Sequence, residues 1–120
     1  MAEVKLQAIT PILQVTNLQR AIDFYTQVLG FEKGWTAGEP VDRCSLCRDS
    51  VEIMLEVDAA PALSKVHIYV NGVDEYYARV TAGGAKVIYP LADRFYGMRD
   101  CRLEDPDGNV VILGESLVKE

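Results

Sequence analysis

Hydrophobic and polar positions along this chain change period several times, and each change marks an element. Residues 9–15, Ile-Thr-Pro-Ile-Leu-Gln-Val, alternate in a period of two, as a strand does. From Leu18 the period lengthens. Leu18, Ala21, Ile22, Tyr25, Val28 and Leu29 fall on one face of a helix, with Asn17 as N-cap and Gly30 as the residue that stops it. Residues 31–37 read as a strand and Gly38-Glu39-Pro40 as a loop. Residues 42–48 and 51–57 read as two strands around an Asp49-Ser50 turn. Residues 58–64 contain Ala-Ala-Pro-Ala and read as a linker.

The pattern then restarts. Residues 65–70 alternate again, Asn71-Gly72 opens a helix through Val73, Tyr76, Tyr77 and Val80, and Gly83-Gly84 ends it. Residues 86–89 predict a strand, 90–99 a long loop, and 100–104 and 109–115 two further strands. Between these last two stands Asp105-Pro106-Asp107-Gly108, whose proline presets φ and whose glycine tolerates positive φ, as a turn requires. The order is β-α-β-β-β, a linker, and β-α-β-β-β again. This predicts one domain of two modules, about 8–57 and 65–117, in the α+β class. The strands are expected in one curved mixed sheet with both helices on its outer face. A module of about 50 residues buries too little surface to stand alone, so the two must share a core.

Alternation also sorts side chains between the two faces of the sheet. Ile9, Pro11, Leu13 and Val15, then Val51, Ile53 and Leu55, then Val66, Ile68 and Val70, and finally Val111 and Leu113 form apolar sets that should face the helices. The opposite sets are mixed: Thr10, Ile12 and Gln14; Glu52, Met54 and Glu56; Lys65, His67 and Tyr69; and Ile112. Such a face is either simply wetted, as in many antiparallel sheets, or lines a cleft. Small-molecule sites combine apolar walls with a few placed polar groups, which suits this set.

Composition narrows the classes of function. The 120 residues are 49% hydrophobic and 25% charged, which excludes a disordered chain. Twelve Lys and Arg against eighteen Asp and Glu leave a net charge of −6, the wrong sign for a phosphate backbone as main partner. Apolar runs are too short for a membrane span. The N-terminal residues lack the apolar stretch of a signal peptide, and the three cysteines cannot all pair within the chain, so a reducing cytoplasm is the expected location.

The paired βαβββ pattern, with its particular residues, resembles the vicinal oxygen chelate superfamily of glyoxalase I, extradiol dioxygenases, fosfomycin-resistance enzymes and bleomycin-resistance proteins. The resemblance rests on residues 15–31, ending in Phe-Tyr-Thr-Gln-Val-Leu-Gly-Phe, on residues 73–85, and on Tyr96-Gly-Met-Arg followed by Asp105-Pro-Asp-Gly-Asn. It covers nearly the whole chain, and the last two motifs are most like the bleomycin-resistance branch. The resemblance implies a homodimer that binds a small molecule. In the superfamily's metalloenzymes four strands each supply one ligand, usually His or Glu. Those positions fall here on Thr10, Met54, Lys65 and Ile112. Thioether, ammonium and alkyl groups do not hold a hard or borderline divalent cation. The resemblance therefore implies binding without a metal cofactor and without catalysis. A register shift of two residues would instead offer His67 and Glu56 as ligands of one divalent ion.

The expected ligand-binding residues are Gln14, Trp35, Met54, Glu56, His67, Tyr69, Phe95, Tyr96, Arg102 and Ile112. Trp35, Phe95 and Tyr96 either cap the core or grip a flat or cationic ligand, and the acidic balance suits a cation. Arg99 and Arg102 either pair with Glu52, Glu56 or Glu104 or take an anionic group. Cys44 and Cys47 have CxxC spacing and, with Cys101 and His67, the count for a zinc site. Three residues apart on a strand, however, they point to opposite faces, which favours free thiols.

Overall fold

The computed structural model describes residues 3–118. Strand β1 (Ile12–Val15) is followed by helix α1 (Leu18–Asp23), which widens into a π-helical turn over Phe24–Val28. Strands β2 (Glu32–Ala37), β3 (Arg43–Arg48) and β4 (Val51–Val57) complete the first module. The second repeats it with β5 (Lys65–Tyr69), α2 (Val73–Ala82), β6 (Lys86–Asp93), β7 (Met98–Glu104) and β8 (Val110–Ser116). Within each module the strand order is the same, β1-β4-β3-β2 and β5-β8-β7-β6. The first strand runs parallel to the last, and the other pairs are antiparallel.

The βαβββ repeat thus matches the sequence pattern, and three details depart from it. The strands hydrogen-bond as two sheets of four, not as one continuous sheet, because the modules meet through side chains. Strand β1 starts at Ile12, not at residue 9. Pro11 has no N–H to contribute to the ladder, although its carbonyl accepts from Met54 N at 2.9 Å. Ile9, expected in the core, is 94% exposed. The loop expected at 90–99 shrinks to a turn at 94–97, because β6 continues through Pro90. Proline is tolerated there on an edge strand, beside the register shift between Tyr89 and Ala92.

The helix ends are satisfied in two ways. Asn17 caps α1 by accepting from Arg20 N at 3.0 Å. The first N–H groups of α2, on Gly72 and Val73, are taken by Glu115 Oε1 at 3.2 and 3.0 Å. The cap of α2 therefore comes from the last strand.

A single apolar cluster joins the modules. Leu13, Val15, Leu46, Ile53 and Leu55 of the first sheet and Leu103, Val111 and Leu113 of the second meet Ala21, Ile22, Tyr25, Val73 and Val80 of the helices. At the junction the Tyr25 hydroxyl donates to Asp105 Oδ2 at 2.9 Å. The other Asp105 oxygen accepts from the N–H groups of Asp107, Gly108 and Asn109. Asn109 Nδ2 donates to Gln14 O at 2.9 Å, and its Oδ1 accepts from Ser64 N at 2.8 Å. Burial, reinforced by the neighbouring Asp105 charge, pushes the Tyr25 phenol far above its usual range, so it remains the donor. On the other side of the junction Tyr76 OH and Arg48 Nη1 both donate to Leu29 O, at 2.6 and 2.8 Å, and the Arg48 guanidinium lies 4.9 Å from the Tyr76 ring centroid.

The molecule measures 47 × 44 × 23 Å, with a radius of gyration of 15.5 Å. A compact chain of this length has roughly 13.6 Å. Two sheets placed side by side and an N-terminal segment, residues 3–9, that stays exposed outside the core both spread the chain.

Asp105→Ala removes the acceptor for a buried phenol and unties the turn. Its expected cost is about 3 kcal/mol, against about 1 kcal/mol for Tyr25→Phe, which leaves Asp105 Oδ2 its bond from Asn109. Urea denaturation of both variants checks the order; equal midpoints would show that the junction does not depend on this carboxylate.

Candidate functional site

The alternation that sends one set of side chains into the core leaves the other on the uncovered face of each sheet. On the first sheet, Gln14 lies opposite Glu56 and donates to its Oε2 at 3.1 Å. Met54 neighbours Ile12 on one side and Ser45 on the other. Thr10 Oγ1 donates to Glu52 Oε1 at 3.1 Å. Arg43 is the register partner of Glu56, but its guanidinium pairs with Asp42 at 3.0 Å. Trp35 sits where the β2–β3 register shifts. Its backbone N–H donates to Ser45 Oγ at 3.0 Å, and the residue is 44% exposed.

On the second sheet one row crosses four strands: His67, Ile112, Arg102 and Tyr89. The Tyr69 ring stacks on His67 with centroids 4.4 Å apart and planes 18° from parallel. The imidazole lies over Gly114, where an added Cβ would come within 2.6 Å of Nε2. A side chain at 114 would displace the histidine. Arg102 lays its guanidinium 4.9 Å from the Tyr89 ring centroid.

The β6–β7 turn is rigid for a local reason. Asp100, 2% exposed, accepts from Arg94 Nε at 2.9 Å and from Tyr96 OH at 2.6 Å. Arg94 Nη2 also donates to Pro90 O and Asp100 O. Burial works to raise the Asp100 pKa, but the Tyr96 and Arg94 hydrogen bonds and the charges of Arg94 and Arg102 outweigh it and hold the carboxyl below its ordinary value. The bond to Asp100 in turn raises the Tyr96 phenol. Phe95 at the tip is wholly exposed and meets Tyr96 edge to face at 5.2 Å. These two aromatics do not cap the core.

The expected residues are therefore gathered in three places, not one. Gln14, Met54 and Glu56 lie on the first sheet with Trp35 at its far strands. His67, Tyr69, Arg102 and Ile112 lie on the second. Phe95 and Tyr96 form the turn. Glu56 and His67, the alternative metal pair, belong to different sheets, and among the described residues no group of three His, Cys, Asp or Glu side chains can hold a metal ion. Thr10, Met54, Lys65 and Ile112 do not fit a divalent ion by their chemistry. Cys44 and Cys101 are buried in separate modules while Cys47 is exposed, so the CxxC pair diverges and no disulfide forms among them. Burial raises the Cys44 thiol and pushes Cys101 up to about 11, which leaves both protonated at neutral pH.

Sequence reasoning missed Tyr89, Arg94 and Asp100. Tyr89 opposes Arg102 only once β6 is in register, and Arg94 and Asp100 meet only because the hairpin closes between them. The two arginines left open by the sequence now separate: Arg99 pairs with Asp74 at 2.7 Å and Asp93 at 3.1 Å, while Arg102 makes no ion pair among the described residues.

Two grooves border these groups. One of about 380 Å³ is lined by Leu63, Lys65, Ile88, Tyr89, Arg102 and Val110, with Ser64 and Gly108. Another of about 440 Å³ lies at the module junction beside Arg48, Tyr69, Glu75 and Tyr76. In the second the charged groups already serve each other, Arg79 on Glu75 at 2.6 Å and Arg48 on Tyr76 and Leu29 O, so it reads as part of the junction.

The sequence profile of the Glyoxalase/Bleomycin resistance protein/Dioxygenase superfamily matches residues 5–113. The chain belongs to that superfamily. Solved structures of the same fold include TioX from Micromonospora sp. ML1, 24% identical, with a TM-score of 0.82 over 92% of this chain and 99% of that one. The bleomycin-binding protein from bleomycin-producing Streptomyces verticillus, complexed with copper(II)-bleomycin, is 20% identical, with a TM-score of 0.77 over 92% and 97%. A glyoxalase-related enzyme from Clostridium phytofermentans is 16% identical, with a TM-score of 0.81 over 94% and 97%. At these identities the likeness is one of fold. No curated protein matches the chain. No helix among the described residues is long and apolar enough to cross a membrane.

Asp100→Asn tests the turn. A carboxyl whose folded pKa is depressed contributes stability above its unfolded value of about 4 and loses it as pH falls through the lower folded value. The variant should therefore melt below the parent at neutral pH, with the gap closing under acid. A gap independent of pH would remove the carboxylate charge from the account.

Proposed function

We propose that this chain is a metal-free small-molecule-binding protein of the antibiotic-sequestering kind, acting in the cytoplasm as a homodimer whose clefts are shared between subunits. One observation carries the reading. At the four positions that the resemblance aligns with the metalloenzymes' ligands, Thr10, Met54, Lys65 and Ile112, this chain has a hydroxyl hydrogen-bonded to Glu52, a thioether, an ammonium and an alkyl group. Sequestration needs only binding energy, and the uncovered sheet faces offer acids at Glu52 and Glu56 and aromatic surface at Trp35, Tyr69, Phe95 and Tyr96. The fold likeness to a bleomycin-binding protein supports a bulky ligand.

The shape of the chain supports the dimer. The uncovered faces carry exposed Ile12, Trp35, Tyr69 and Tyr89. The first sheet presents Glu52 and Glu56, the second Lys65 and Arg102. A two-fold axis would bring each acidic face to a basic one and enclose two equivalent clefts.

Elemental analysis of the purified protein should find substoichiometric metal. One tightly held zinc, nickel, manganese or iron per chain, lost in His67→Ala, would overturn the reading in favour of a metal-dependent lyase, isomerase or dioxygenase. Thermal shift with bleomycin-type compounds should give a saturable rise in midpoint; no rise would leave some other metabolite as ligand. Trp35→Ala should weaken such a ligand by about tenfold or more without unfolding the chain, because loss of one stacking wall removes about 1.4 kcal/mol or more. Sedimentation should report a dimer.

A further inference from the structure

An arginine without a direct ion pair among the described residues points to the chemistry of the ligand. Arg102 lies mid-sheet, on β7, with its guanidinium carbon 4.9 Å from the centroid of the Tyr89 ring. It makes no hydrogen bond or ion pair among the described residues, so its N–H edge is uncommitted. Asp100, two residues earlier on the same face, is already held by Arg94 and Tyr96. Glu104, two residues later, is met by Lys86 at 3.6 Å. Lys65, at the mouth of the same groove, also has no ion pair among the described residues. In a chain of net charge −6, two unpaired cations thus share one groove of about 380 Å³. Leu63, Ile88, Tyr89 and Val110 give it apolar and aromatic walls, with Ser64 and Gly108 completing the lining.

We propose that this groove binds the carboxylate of a ligand with a flat apolar body, the oxyanion on Arg102 and Lys65 and the body against Tyr89, Leu63 and Val110. A guanidinium offers parallel N–H donors that match a carboxylate edge to edge, and stacking on an aromatic ring orients that fork in advance. The volume suits a small aromatic acid. The inference deepens the reading above, since it rests on taking the uncovered faces as binding surface. It adds an anionic group to the cation that the acidic balance suits. The acids belong to the first sheet, and the second sheet's face is basic, so a ligand spanning the cleft would carry both signs.

The test uses 2-naphthoate as probe, with 2-naphthamide and 2-naphthylmethylammonium as controls of the same shape, titrated by calorimetry into the full chain. Naphthoate should bind saturably, at least about tenfold tighter than either control, and weaken as salt rises from about 50 to about 500 mM. Arg102→Met, which keeps the stem but loses the fork, should reduce naphthoate binding by about tenfold and leave the amide unchanged; Arg102→Lys should recover only part of it. Lys65→Met, at an exposed position, should cost about twofold to threefold. Equal binding of acid and amide, tighter binding of the ammonium, or an Arg102→Met chain of parental naphthoate affinity would each overturn the proposal. So would absence of naphthoate binding. The metal content and the bleomycin-type thermal shift are read on the same samples, so failure of the groove is distinguishable from failure of the sequestering reading.

Discussion

The structure turns on one buried carboxylate. Asp105 accepts from three backbone N–H groups of its own turn, from Asn109 Nδ2 and from the Tyr25 hydroxyl, so neither oxygen is left bare in the core. A buried anion is tolerated only when so completely satisfied. Because its donors come from both modules, the same bonds set how the two halves meet. Asn109, reaching Gln14 O and receiving Ser64 N, extends the tie to β1 and to the segment between the modules. Neither module could bury its helix and sheet alone, and their shared core depends on this join.

That join has a consequence for the surface. The helices occupy one side of each sheet, and the junction engages Tyr25, Asp105, Asn109, Arg48 and Tyr76. The other sides stay open. The open faces differ in charge. On the first, each glutamate receives a hydrogen bond from β1 or its approach, Thr10 on Glu52 and Gln14 on Glu56. On the second, the buried Asp100 is paired with Arg94 and hydrogen-bonded by Tyr96, while Arg102 and Lys65 make no direct ion pair among the described residues. Net charge summed over the chain concealed this division, since a sum carries no position.

The superfamily's frame is kept here, held by core packing, helix caps and turn residues. A shared fold and a shared reaction need not go together. Trp35, His67 with Tyr69, and the Phe95–Tyr96 pair offer aromatic surface for stacking.

By itself the sequence determined the elements and their repeat. The period of two or of 3.6, the cap at Asn17, the stop at Gly30 and the Asp-Pro-Asp-Gly turn are all local, and local chemistry is written in neighbouring residues. It also sorted the faces of the strands correctly, Leu13 and Val15 inward and Gln14 outward, because a pleat alternates wherever it pairs. Tertiary structure alone decided the rest. It divided eight strands into two sheets, carried β6 through Pro90, widened α1 into a π turn and left Ile9 outside the core, since each depends on partners distant in the chain. It also decided which arginine is spoken for. Arg99 and Arg102 are three residues apart and alike in sequence, but the hairpin and α2 bring ion-pairing carboxylates to one, while the other lies against an aromatic ring without a direct ion pair among the described residues.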